Sequence, residues 1–170
     1  MKFYLDNNIV SAIAKSDFPL AEMTILKELL TLSVTLKLEL VTSSVTGQEI
    51  ARYMGEKKGD IEQVYASLAK VPFIDDHKVV GFQSYWDRFG GESYPFVEDD
   101  ATSSALRNMR LDRTDAHHLM LAIRAGCKRF ITYDKKILNR SSEIESAFSI
   151  KVVRPSELLA EIKKTLAYTP

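Results

Sequence analysis

Short apolar runs recur along the chain at intervals that helical patterns fill. Residues 2–6, 38–42, 71–74, 130–133 and 150–154 are of strand length. Several of them are unbroken rather than alternating, as in strands buried on both faces. Between them, residues 8–15, 20–36, 45–54, 61–70, 114–125 and 155–166 carry helical spacing, the last opened by Pro155 and Ser156. Strands alternating with helices predict a parallel sheet of four or five strands in a three-layer α/β/α sandwich. In such sheets functional groups collect at the carboxyl ends of the strands.

Residues 75–104 depart from this pattern. Seven acids against Lys78 and Arg88, with Gly90, Gly91, Pro95 and several aromatic residues, suggest a short helix, a Gly-Gly turn and a second helix beginning near Asp99 or Thr102. The segment is expected to be an insertion or helical arm on a single domain covering residues 1–170. Tyr85, Trp86, Phe89 and Tyr94 are expected to build its small core, although aromatic side chains can also stack on bases.

Composition narrows the setting more than the function. A length of 170 residues suits one domain with a sizeable core. With 23 basic and 23 acidic residues, the net charge neither announces nor excludes a nucleic-acid partner. Cys127 is the lone cysteine, which excludes an internal disulfide and a cysteine-based zinc cluster and fits a reducing compartment. The apolar start of the chain meets an acid at position 6, and no run approaches the ~20 apolar residues of a membrane span. A soluble, cytoplasmic protein is expected.

Charge placement changes the picture. Asp6 follows the first apolar run and Asp134 follows the fourth in the same way. Glu49 lies one turn into a helix that Ser44 could cap, and Asp115 sits in the first turn of a helix that Thr114 could cap. Each acid alone reads as a cap. If all four meet over one sheet edge, their charges raise one another's pKa unless a cation intervenes. Oxygen donors suit Mg²⁺ or Mn²⁺, whereas His77, His117 and His118 without thiolates make zinc a poor fit.

These residues carry a resemblance. "YLDNN" near the N-terminus, Glu49 in the helix after the second strand, and "TDAHHLMLAIRAGCKRFITYDKKIL" together resemble the PIN domain, the fold of metal-dependent ribonucleases that includes VapC-type toxins. The likeness spans nearly the whole chain outside residues 75–104. Asn7 departs from it, standing where Thr or Ser is common after the first acid. The resemblance implies that Asp6, Glu49, Asp115 and Asp134 form the catalytic and metal-binding quartet, with Asn8 and Thr132 in support. It further implies RNA phosphodiester hydrolysis with one or two Mg²⁺ or Mn²⁺ ions, and, for a toxin, a cognate antitoxin protein as partner. Homodimers are frequent in the family, so a homodimer is a further expectation.

Residues 107–140 hold nine basic residues against three acids, a local excess that a phosphate track needs and that solvated helix faces also show. Lys135 and Lys136, beside Asp134, are the candidate substrate contacts. His117 and His118 are expected to be packed or surface histidines, and Asp112 a loop acid. The competing reading is a catalytically silent PIN-like module that binds RNA or protein. An aspartyl phosphatase would want a second acid two residues after Asp6, where Asn8 stands, and a dinucleotide-binding turn would want glycines there.

Overall fold

The computed structural model describes residues 1–15, 19–70, 82–83, 94–95 and 101–167. In chain order the elements are β1 (Lys2–Leu5), α1 (Asn7–Lys15), α2 (Leu20–Thr35), β2 (Glu39–Thr42), α3 (Ser44–Arg52), α4 (Lys58–Ser67) and β3 (Ala69–Lys70). They continue with β4 (Phe82–Gln83), β5 (Tyr94–Pro95), α5 (Ala101–Asn108), α6 (Arg113–Arg124), β6 (Arg129–Ile131), α7 (Lys135–Leu138), α8 (Ser141–Phe148), β7 (Lys151–Val153) and α9 (Pro155–Ala167). Five strands form one parallel sheet in the order β3-β2-β1-β6-β7.

The pleat sorts the core into two. Tyr4, Phe130 and Val152 share one face and pack with Leu106, Leu119 and Ile144 of α5, α6 and α8. Phe3, Leu5, Ile131 and Val153 point the other way, onto Ile9, Leu26 and Leu158 of α1, α2 and α9. Because successive side chains of a strand face opposite sides, unbroken apolar strands demand a helical layer on each face, and the three-layer sandwich follows. At the end of α6 the chain reverses through Gly126 (φ 69°), whose lack of a Cβ suits the left-handed turn into β6.

Most expected elements appear with ends shifted by a few residues. Two short helices, α7 and α8, were not expected: the first is a single capped turn, and the second buries only Ile144, too little to give a helical stripe. The expected strand at 71–74 lies outside the described residues, and β3 pairs with β2 through Ala69 and Lys70 just before it. Within the 75–104 segment, the helix expected near Thr102 is α5. The short helix expected ahead of it is corrected in part, since Phe82–Gln83 pair antiparallel with Tyr94–Pro95. Gly90, Gly91, Tyr85, Trp86 and Phe89 lie outside the described residues.

Candidate active site

The strand order reverses between β1 and β6. From β1 the sheet grows outward through β2 and β3, and from β6 it grows the opposite way through β7, so a crevice opens over their carboxyl ends. Asp6 leaves β1 at that point, and Thr132, Tyr133 and Asp134 leave β6 beside it. The Asp6 backbone N–H donates to the Ile131 carbonyl at 3.1 Å, which holds the two exits together.

Asp6 is only 6% exposed, so its carboxylate must find its partners inside the protein. Its Oδ2 accepts from Thr132 Oγ1 at 2.6 Å and Asn8 Nδ2 at 2.7 Å, and its Oδ1 accepts from the Asn7 N–H at 2.8 Å. Asn8 also donates to Thr132 Oγ1 and accepts from the Tyr133 N–H, which ties α1 to the end of β6. The side chain of Asp6 therefore does not close the first turn of α1 as a cap would. Its backbone carbonyl accepts from Ile9 and Val10 instead. Burial raises the Asp6 carboxyl above its ordinary value, against the opposing pull of the His118 charge and the Thr132 and Asn7 hydrogen bonds.

On α6 the sequence reading needs correction: the cap is Asp112, not Thr114. Asp112 Oδ1 accepts from the N–H groups of both Thr114 and Asp115 at 3.0 Å, so the residue read as a loop acid starts the helix. These bonds hold the Asp112 carboxyl below its usual range, and the charge of Lys136 acts in the same direction. Asp115 is thereby fixed in the first turn. Burial first, then the charge of Asp112 and a hydrogen bond with its side chain, and last the charges of Asp134 and Asp6, push its carboxyl up to about 7. Its Oδ2 is buried without a hydrogen-bond partner, as is Asn7 Oδ1.

Asp134 caps α7, accepting from the Lys136 N–H at 2.6 Å and the Ile137 N–H at 3.4 Å, while its own N–H donates to Thr132 Oγ1. Thr132 is thus the hub between Asp6, Asn8 and Asp134, and it is fully buried. The side chains of Lys135 and Lys136 extend from the next turn and are exposed.

Glu49 enters from α3. Its Oε2 lies 2.8 Å from His118 Nε2, His118 Nδ1 lies 2.7 Å from Tyr4 Oη, and Tyr4 Oη lies 2.5 Å from Ser43 Oγ. Ser43, rather than Ser44, occupies the cap position of α3, and no side-chain cap bond forms there. Burial alone would lower the His118 pKa, but its hydrogen bond to Glu49 and the charges of Asp6, Glu49 and Asp115 outweigh burial and leave it raised. The bonds suit a protonated imidazole, which donates from both nitrogens, and equally a neutral one that donates from Nε2 to Glu49 and accepts at Nδ1 from Tyr4. His118, expected to be packed or at the surface, is a buried link that ties Glu49 to the sheet. Its position one turn beyond Asp115 on the same helix face was the available signal.

The basic run of residues 107–140 does not form one track. Lys128 and Arg129 sit at the opposite, amino end of the sheet, where the Lys128 N–H donates to the Lys2 carbonyl. Arg129 is paired with Glu161, and Arg140 with Glu143.

By type the site offers oxygen donors with two of them unsatisfied, and the Asp6 and Asp115 carboxyls are held above their ordinary values. That chemistry fits a hard divalent cation. Among the described residues, no group of three His, Cys, Asp or Glu side chains is closed tightly enough to hold an ion by itself. Mg²⁺ is commonly held by one or two carboxylates, with waters and substrate phosphate completing the shell, so the open arrangement is compatible with such an ion. No protein-family model and no curated protein matches this chain. Among the described residues, no helix is long and apolar enough to cross a membrane.

Proposed function

We propose that this chain is a PIN-like, Mg²⁺- or Mn²⁺-dependent endoribonuclease. The observation that carries the reading is Asp115, whose carboxyl is driven up to about 7 by burial and by its acidic neighbours while one of its oxygens stays buried and unpaired. A carboxylate in that position is deprotonated at neutral pH most readily beside a cation. Asp6, Asp115 and Asp134 are the residues that would hold the ion, with Glu49 joining them or orienting water. When bound, the ion would supply charge neutralisation and Lewis acidity toward the phosphodiester.

The protein's own part is orientation. Thr132 and Asn8 fix Oδ2 of Asp6 while the Asn7 N–H holds Oδ1, His118 fixes Glu49, and Asp112 fixes the first turn that carries Asp115. Lys135 and Lys136, exposed beside Asp134, would meet a phosphate from the solvent side. If the protein is a toxin, a cognate antitoxin would cover this same edge. Asp134 serves as a helix cap, which favours the second reading, a silent module for RNA or protein in which the acids are structural.

Incubation with a mixed RNA pool in Mn²⁺ or Mg²⁺, beside EDTA and an Asp115→Asn variant, separates the two readings. Cleavage is expected, and both chelation and the substitution should abolish it. Failure of the folded protein either to cleave RNA or to take up Mn²⁺ in calorimetry would leave the silent module.

A further inference from the structure

Next to the acids, a cleft of ≈ 410 Å³ runs between α1 and α3. Asn7, Ser11 and Lys15 recur every four residues and so share the α1 face that lines it. Glu49 and Arg52, three apart on α3, line the other wall, and Thr114 of α6 also borders the space. The volume falls in the range of sites that enclose small organic ligands.

The charges along it are arranged in order. Glu49 belongs to the acidic site, whereas Lys15 and Arg52 lie one or two turns further out and make no ion pair among the described residues. Lys15 is not left loose: its Nζ stands 4.3 Å from the centre of the Tyr53 ring. That ring in turn lies so close to Gly55 that a Cβ there would collide with it. An ammonium held over a ring and a guanidinium without an ion pair among the described residues form a place for an anion.

We propose that this cleft binds the nucleotide adjoining the scissile phosphate of a single-stranded RNA, with its phosphate on Lys15 and Arg52. The inference rests on the ribonuclease reading for the position of the scissile bond, but the cleft's affinity for RNA is separable from cleavage. The cleft adjoins the acidic site through Glu49 and through Thr114, the residue before Asp115.

The test measures binding and cleavage separately. Fluorescence anisotropy with a labelled single-stranded RNA of about ten nucleotides, in EDTA, reads affinity without turnover. Lys15→Gln/Arg52→Gln is expected to weaken binding about tenfold at low salt and to flatten the log–log salt dependence by about 0.7, the share of one phosphate on a single strand. Lys15→Arg/Arg52→Lys should restore affinity, and Lys128→Gln, at the far end of the sheet, should leave it unchanged. In Mn²⁺ the double Gln variant should raise KM while kcat stays near the parent value.

Unaltered binding and KM in that variant would overturn the proposal, as would a parent protein that does not bind the RNA at all. Binding that depends on Lys15 and Arg52 without any cleavage would uphold the cleft and refute the nuclease.

Discussion

Tyr4 works at both ends of its side chain. Its ring stacks on Phe130 with centroids 5.2 Å apart, and its hydroxyl lies between Ser43 and His118. Tyr4→Phe keeps the packing and removes the bridge, leaving a buried imidazole nitrogen and a buried hydroxyl short of a partner. Such a loss costs about 1–3 kcal/mol, and urea denaturation should show a lower midpoint with an unchanged slope. Asp6, Asp115 and Asp134 were legible in the sequence because each stands where a strand ends or a helix begins. Tyr4 was not, since an aromatic inside an apolar run carries no signal until the fold sets it against α6, and His118 offered only its place one turn beyond Asp115.

At the level of elements, α6 is the part whose start decides the site. Asp112→Ala removes two bonds to first-turn N–H groups and should destabilise the protein by about 1 kcal/mol, whereas Thr114→Ala should be nearly neutral; thermal or urea unfolding of the pair distinguishes the caps. The sequence suggested Thr114 because a hydroxyl directly before Asp115 looks like a cap. Dihedral angles at Asp112 (φ −71°, ψ 172°) show where the helix turns out of extended chain, and periodicity does not specify that point to within a residue or two. The large helices and four of the five sheet strands were readable because each buries a stripe or a run. The turns of α7 and α8 were not, because they are held by a cap and by one buried isoleucine respectively.

For the whole molecule, Asp115, Asp6 and His118 act in one direction. The folded-state pKa of Asp115, about 7, lies above the roughly 3.9 of an unfolded carboxyl, so the native protein binds its proton more tightly. The associated stability is complete below the unfolded value and is lost as pH rises through about 7. Asp6 and His118 are raised too and add to the same trend. Cation-free protein should therefore melt at a lower temperature at pH 8 than at pH 5.5. Asp115→Asn should flatten that slope, and Mn²⁺ should restore stability at pH 8; calorimetric Tm values across this range check all three.

The central pair of the sheet joins distant parts of the chain: Asp6 meets Thr132 across 126 residues. Throughout most of translation, the emerging polypeptide carries Asp6 and Glu49 without the groups that orient them. Long-range strand pairing is slow and waits for its partner to be made. An activity that needs the assembled edge therefore begins only after β6 has cleared the ribosome and inserted beside β1, and unfinished chains released early would be inert.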